Sequence, residues 1–153
     1  MEETYDLPSV DHTVIKVGQV GTIVLLVMGF VVDHWGPVAA VAAINLIGLL
    51  SPALSLWRQL YVRVLRPLGL AKPNVVPDYP EPHRFAQGVG GGLALTATLM
   101  LLVGQAIVGW GLVWLHILLA ALNLFVGFCL GCFVYYQMSR LGVPGFSRQA
   151  MEK

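Results

Sequence analysis

"GLVWLHILLAALNLFVGFCLGC", residues 111–132, decides the class of this protein. The stretch contains no charged residue, and its strongly polar side chains are limited to His116 and Asn123. A helix needs about 20 mostly apolar residues to cross a bilayer, and this stretch is long enough. We therefore predict a transmembrane helix over 111–132, with Cys129 and Cys132 near its end.

The composition of the whole chain favours the same class. Of its 153 residues, 57% are hydrophobic and only 11% are charged, whereas a soluble domain carries about 25% charged residues. Nine Lys and Arg stand against eight Asp and Glu, so no basic excess favours nucleic acid as a partner. The expected surroundings of the chain are a lipid bilayer.

Four segments are long and apolar enough to span a membrane, so we predict an all-α fold, a four-helix transmembrane bundle. The predicted spans are 13–32, 37–57, 85–107 and 111–132. Together they form a single membrane domain over 13–138, between a polar N-terminal segment, 1–12, and a polar C-terminal tail, 139–153.

The connection between spans two and three has two parts. Arg58, Arg63 and Arg66 alternate with apolar residues, which predicts a short interfacial helix at the inner leaflet. Four prolines follow between Pro73 and Pro82, and they favour an extended strap over a helix. We expect this strap to lie on the cytoplasmic face of the bundle.

The distribution of Lys and Arg predicts the orientation. With four spans, all nine fall at one end of the bundle, and the loops at 33–37 and 104–111 contain none. Because basic residues are retained on the cytoplasmic side, we expect both termini and the central loop to be cytoplasmic.

The two halves of the chain resemble each other. "DHTVIKVGQVG" (11–21) is similar to "PHRFAQGVGGG" (82–92), with a His before the span and glycines inside it. Asn45 and Asn123 occupy similar places in spans two and four, and Ser51 aligns with Cys129. This pattern suggests two tandem two-helix repeats, with the cysteine pair in one of them.

Small residues within the spans are candidates for helix packing. Glycines four apart occur at Gly88 and Gly92 and again at Gly127 and Gly131. Such pairs let two helices approach closely in lipid.

Uncharged polar side chains within the spans are few: Gln19, Asn45, Gln105, His116 and Asn123. They should face other helices, because an unpaired amide in hydrocarbon is costly. We expect His116 near the outer interface, in a structural role or in contact with a metal or a quinone.

Cys129 and Cys132 allow three interpretations. They are a redox pair, they bind a soft ion such as Cu(I), or they are simply small buried residues. Two thiols do not complete a zinc site, and we predict no other metal site. A reactive thiol is favoured at a helix N-terminus, whereas the predicted span puts the pair near a C-terminal end unless Gly127 breaks the helix.

"DHTVIKVGQ", "SPALSLWRQL", "HRFAQGVG" and "GFCLGC" together resemble a family of small bacterial integral membrane proteins catalogued as a domain of unknown function. The resemblance covers roughly residues 10–140. It implies a characteristic C-terminal Cys-x-Gly-Cys, genetic proximity to thioredoxin-like or rhodanese-like proteins, and a bacterial inner (plasma) membrane location.

Two functional hypotheses follow. In the first, Cys129 and Cys132 perform thiol–disulfide or sulfur chemistry with a cytoplasmic thioredoxin-like or rhodanese-like partner, and exchange electrons with a quinone in the bilayer. No tightly bound cofactor is expected. In the second, the chain is a non-catalytic accessory or scaffold subunit of a larger membrane complex.

Overall fold

The computed structural model describes residues 9–146, which are mostly helical. The α-helices are α1 (His12–Val32), α2 (Gly36–Leu50), α3 (Leu56–Leu60), α4 (Pro80–Leu102), α5 (Ala106–Val126) and α6 (Leu130–Arg140). A 3-10 turn, Pro52–Leu54, precedes α3, and a π-helical turn, Tyr61–Leu65, follows it. Two short strands, β1 (Ser9–Asp11) and β2 (Val75–Pro77), pair in antiparallel orientation.

Three helices, α1, α4 and α5, are long and apolar enough to cross a membrane. The prediction of a membrane protein is therefore confirmed at this level. Helix α2 is apolar but has 15 residues, so it extends over about 22 Å, less than the roughly 30 Å thickness of a hydrocarbon core. The count of four spans stays a prediction.

Three predicted span boundaries are wrong, and glycine or proline is the reason in each case. Predicted span 37–57 ends at Leu50, because Ser51 is extended and Pro52 follows it. The turn after predicted span 85–107 comes earlier than expected, at Gly104, whose φ is 82°. Predicted span 111–132 ends at Val126, because Gly127 takes the left-handed conformation with φ 74°.

The proline-rich segment is not a continuous strap. Val75–Pro77 forms β2, with Asp11 opposite Val75. Pro80 and Pro82 stand in the first turn of α4, where a missing backbone N–H leaves no hydrogen bond unmade. The expectation that these prolines exclude a helix was therefore wrong for the last two.

The polar ends are partly ordered within the described residues. Ser9–Asp11 forms a strand, and α6 continues to Arg140 inside the predicted tail. Of the two predicted end segments, residues 1–8 and 147–153 lie outside the described residues.

The helix predicted after span two is present as α3 and the π-helical turn. Its Trp57 is only 8% exposed and lies against α1, where glycines leave space for the indole. A Cβ on Gly18 would lie 3.3 Å from Trp57 Cδ1, and one on Gly21 would overlap the ring. The segment is thus anchored to the bundle, and its depth relative to the bilayer stays a prediction.

Helix α4 is the centre of the fold and packs against α2, α5 and α6. Helix α1 lies against α5, α2 and α3. The buried core consists of small and β-branched side chains together with one leucine: Leu26, Val38, Val41, Ala42, Ala94, Ala97, Val113 and Ile117. Many large apolar side chains face outward, as expected for helices surrounded by lipid.

The predicted tandem repeat has a partial counterpart in the order of elements. Each half contains two apolar helices, a break and then a shorter helix: α1, α2 and α3 in the first, α4, α5 and α6 in the second. The lengths of corresponding helices differ, and the repeat stays a prediction.

The glycines predicted to pack helices have different environments. A Cβ on Gly88 would lie 3.1 Å from Leu49 Cδ2, whereas one on Gly92 would meet nothing within 4 Å. Gly127 likewise has no neighbour within that distance and instead makes the turn after α5. At Gly131 a Cβ would lie 2.6 Å from Ala86 Cβ, so the close approach of two helices is between α6 and α4.

We expect Gly131→Ala to destabilise the protein by about 1–3 kcal/mol, the usual cost of overpacking a tight contact. The added methyl group would clash with Ala86 and push α6 away from α4. Gly92→Ala is the matched control, because its methyl group meets no neighbour and alanine is the better helix former by about 1 kcal/mol. Thermal unfolding in detergent checks this, and equal melting temperatures for the two variants would contradict it.

Candidate functional site

Cys129 and Cys132 lie at the start of a helix. Cys129 is the N-cap of α6, with φ −92° and ψ 104°, and its Sγ accepts a hydrogen bond from the Cys132 N–H at 3.2 Å. The structure therefore removes the objection that the pair lies at a helix C-terminus. A thiolate at position 129 accepts hydrogen bonds from backbone N–H groups and is stabilised by the positive end of the helix dipole.

The two thiols differ in exposure and in acidity. Cys129 is half-buried, and Cys132 is 9% exposed. The hydrogen bond from the Cys132 thiol, helped by the backbone N–H groups of Cys132 and Gly131 and the nearby His83, lowers the pKa of Cys129 to about 6 against the opposing effect of burial. The pKa of Cys132 is raised, first because its thiol donates a hydrogen bond to Cys129 and then because it is buried. The negative charges of Cys129 and Asp78 raise it further.

A histidine lies directly behind the buried thiol. His83, in the first turn of α4, has its Nδ1 3.7 Å from Cys132 Sγ and its Nε2 2.9 Å from Asp78 Oδ2. If Nε2 carries the ring proton, its N–H donates a hydrogen bond to the carboxylate. Nδ1 is then unprotonated and can accept a proton from the Cys132 thiol. Asp78 thus favours the tautomer in which His83 is a base toward the thiol.

Asp78 also contacts a second histidine and the backbone. Its Oδ2 lies 3.3 Å from His12 Nε2, and its Oδ1 accepts the Tyr79 N–H at 2.8 Å. Burial raises the pKa of Asp78, but the hydrogen bonds from His83, Tyr79 and His12 outweigh it and leave the pKa below the usual value. The carboxylate therefore stays ionised near neutral pH.

The β1–β2 pair holds this cluster together. Asp11 Oδ1 accepts the backbone N–H groups of Thr13, at 3.0 Å, and of Asn74, at 3.1 Å. The His12 N–H donates to Asn74 O at 3.0 Å. The start of α1 is thereby fixed to the segment that leads into Asp78 and α4.

Three side chains of this cluster are close enough to share a metal ion. One ligand atom from each of His12, Asp78 and His83 lies within 4.8 Å of the others. Two histidines and a carboxylate suit zinc or iron. The same arrangement is also satisfied by hydrogen bonds from both imidazoles to one carboxylate oxygen. A soft ion on the cysteines stays an untested alternative.

The intramembrane polar residues meet in one place, with one exception. Gln19, Asn45, His116 and Asn123 all line a cavity of about 450 Å³ between α1, α2, α4 and α5. Gln105 instead lies exposed in the turn between α4 and α5. His116 is buried near the middle of α5, and its depth relative to the bilayer stays a prediction.

Sequence reasoning missed His12, Asp78, His83 and Gln87 as site residues. A signal existed for the histidines, since each predicted repeat has a His before its span. Asp78 lies in the segment interpreted as a strap, and Gln87 was assigned to the edge of a span. Their proximity depends on where α4 begins and on the β1–β2 pairing, which the pattern did not predict.

Comparison with known families places the chain. Residues 10–140 match the model of a family described as a domain of unknown function, DUF4395. The chain belongs to this family. No curated protein and no solved structure matches it.

We expect alkylation of Cys129 by iodoacetamide to follow a titration with a midpoint near pH 6, because the thiolate is the reactive form and its pKa is lowered to about 6. Cys132→Ala should move the midpoint upward, toward the ordinary value of about 8.5, since it removes the donated S–H. Mass spectrometry of the modified residue gives the rates. A wild-type midpoint near 8.5 would show that Cys129 is an ordinary thiol.

Proposed function

We propose that this protein is a membrane-bound thiol–disulfide oxidoreductase, in which Cys129 is the nucleophile and Cys132 the resolving thiol. One observation carries the proposal: the pair opens α6, and His83 Nδ1 lies 3.7 Å behind Cys132. A pair that served only to fill space would need neither a half-buried cysteine at the helix N-terminus nor a histidine bound to a carboxylate behind the other one.

In the first step the Cys129 thiolate attacks a disulfide of a partner protein. A bond forms between Cys129 Sγ and one partner sulfur, the partner disulfide breaks, and the second partner sulfur leaves as a thiolate. The backbone N–H groups at the start of α6 stabilise Cys129 as the attacking thiolate. The half-buried position of Cys129 suits it to this exchange.

In the second step Cys132 resolves the mixed disulfide. Once Cys129 is bonded to the partner, its sulfur is no longer a negatively charged acceptor for the Cys132 thiol. The proton of Cys132 passes to His83 Nδ1, and Asp78 stabilises the imidazolium through Nε2–H. The Cys132 thiolate then attacks Cys129 Sγ, the Cys129–Cys132 disulfide forms, and the partner leaves with both sulfurs reduced. The sequence of steps is reversible.

The positions of the basic residues support a cytoplasmic location for the site. The dithiol cluster includes His12 and His83 at the starts of α1 and α4, and Lys16, Lys72 and Arg84 lie close to them in the chain. The positive-inside tendency therefore supports exchange with a cytoplasmic, thioredoxin-like partner at the inner membrane of a bacterium. Both termini would lie on that side.

Ellman's reagent, a small aromatic disulfide, tests the two steps on the full chain in detergent. We expect the reduced wild type to release two equivalents of thionitrobenzoate per chain and to end as an internal disulfide. Cys132→Ala should release one equivalent and retain a mixed disulfide at Cys129, whereas Cys129→Ala should react far more slowly. Equal reactivity of the two single variants, or a persistent mixed disulfide in the wild type, would contradict the assigned roles.

His83→Gln should slow the second release on the order of 10²-fold, the usual contribution of a general base, and slow the first release far less, because His83 is a minor cause of the lowered pKa of Cys129. Asp78→Asn should slow the second release less, because it leaves the imidazole in place. His34→Gln is the matched control, since the exposed His34 imidazole accepts a hydrogen bond from the Gly36 N–H and stacks on Trp35, away from the cysteines. Stopped-flow absorbance separates the two phases, and an unchanged second phase in His83→Gln would remove His83 from the mechanism.

The accessory-subunit hypothesis gives the opposite result. If both cysteines can be replaced by alanine without any loss of cellular function while Gly131→Ala abolishes it, the packing of α6 is what matters and the thiols are incidental.

A further inference from the structure

We propose that the cavity between α1, α2, α4 and α5 binds a lipid-soluble quinone, which accepts the electrons of the Cys129–Cys132 pair. This inference rests on the proposed thiol exchange and names the second substrate of the same site. The cavity measures about 450 Å³, within the range of roughly 300–1,000 Å³ that holds a drug-sized molecule.

The lining of the cavity combines apolar walls with uncharged hydrogen-bonding groups. The amides come from all four helices: Gln19 from α1, Asn45 from α2, Gln87 from α4 and Asn123 from α5. Amides and imidazoles placed on an apolar wall suit a neutral ring that carries carbonyl oxygens. A hydrocarbon chain would leave these amides unpaired, at a cost.

His116 points most directly to a ligand. The residue is 7% exposed and lines the cavity, and within the described part of the chain its buried Nδ1 has no hydrogen-bond partner. Its Nε2 faces Gly90, where a Cβ would lie 3.1 Å away. A buried polar nitrogen without a partner is uncommon, and a quinone carbonyl in the cavity would accept a hydrogen bond from the imidazole N–H.

The uncharged lining around His116 and Asn45 favours a neutral ligand there. No acidic side chain belongs to the lining, whose charged members within residues 9–146 are Arg58 and Arg84. Arg84 already donates a hydrogen bond to Leu49 O at 2.9 Å. The groups around His116 and Asn45 carry no fixed charge, so nothing there would hold an anion against the cost of removing it from water.

The cavity ends against the dithiol. Its wall includes His83, which contacts Cys132, and Ala86, on which Gly131 between the two cysteines packs. One layer of side chains thus separates the cavity from the first turn of α6. Because His83 contacts Cys132 and also lines the cavity, a proton that its Nδ1 takes from Cys132 is held at the cavity wall.

The reaction balances as a two-electron exchange. The Cys129 thiolate and the Cys132 thiol are oxidised, the Cys132 S–H bond breaks, and the Sγ–Sγ bond forms. The quinone accepts two electrons and two protons and becomes a quinol, so two O–H bonds form. One proton comes from Cys132 through His83, and the other from water, because Cys129 starts as the thiolate. The exchange proposed above then runs in reverse: a partner dithiol reduces the Cys129–Cys132 disulfide and becomes a disulfide itself, so the net result is oxidation of the partner dithiol by the quinone.

A short-chain ubiquinone added to the full chain in lipid nanodiscs tests binding apart from chemistry. The measurement uses the Cys129→Ala, Cys132→Ala double variant, which cannot reduce the quinone. Quenching of Trp57, which lines the cavity, reports occupancy after subtraction of the quenching seen in the same background with Trp57→Phe. We expect saturable binding that protein-free nanodiscs do not show.

Gly90→Leu should weaken this binding at least tenfold, because its side chain would enter the cavity toward His116. Gly92→Leu is the matched control, on the same helix with nothing near its Cβ. His116→Leu provides a second test in case Gly90→Leu does not fold, and the melting temperature of each variant reports its folded state.

The results separate the two proposals. Equal quinone affinity with Gly90→Leu, Gly92→Leu and His116→Leu would overturn the cavity assignment, as would equally tight binding of an analogue with the same tail on a benzene ring without carbonyls. If the wild type reacts with Ellman's reagent in two steps but binds no quinone, only this inference fails. If it binds the quinone but forms no internal disulfide, the proposed exchange fails instead.

Discussion

The left-handed turn at Gly127 is the constraint on which the site depends. With φ 74°, this position strains any residue that has a Cβ, and it ends α5 two residues before Cys129. The chain then enters α6 with the cysteines at its N-terminus instead of continuing α5 toward a C-terminal end. The same change of direction lets α6 lie on α4, with Gly131 against Ala86. The left-handed conformation of Gly127 therefore determines both the position of the thiols and their place at the positive end of a helix.

The second half of the site is organised at the other end of the sequence. Strands β1 and β2 are short, but their pairing joins the start of α1 to the segment before α4. This juxtaposition allows Asp78 to accept hydrogen bonds from His12 and His83 together. An ionised carboxylate between two imidazoles fixes ring orientation more firmly than one contact would. The β1–β2 pair thus places Asp78 where it fixes the orientation of the His83 ring toward Cys132.

The sequence predicts the class of protein and its apolar helices, because length and hydropathy are local properties. It also singles out Cys129 and Cys132 and the polar residues that line the cavity. Gly127 could not be assigned, since a glycine four residues before Gly131 satisfies a packing motif and a helix break equally well. Pro80 and Pro82 were misjudged, because proline opposes a helix interior but suits its first turn. His83 and Asp78 acquire their roles from tertiary contacts, which no periodicity encodes.

The arrangement divides two incompatible requirements between two environments. A thiolate needs hydrogen-bond donors and access for a protein partner, which the start of α6 provides outside the three long helices. A hydrophobic electron acceptor needs a cavity among those helices, where Asn45 and His116 lie. His83 belongs to both, through Cys132 on one side and the cavity wall on the other. In the reaction proposed above, a proton released by disulfide formation would therefore be held between the thiols and the cavity.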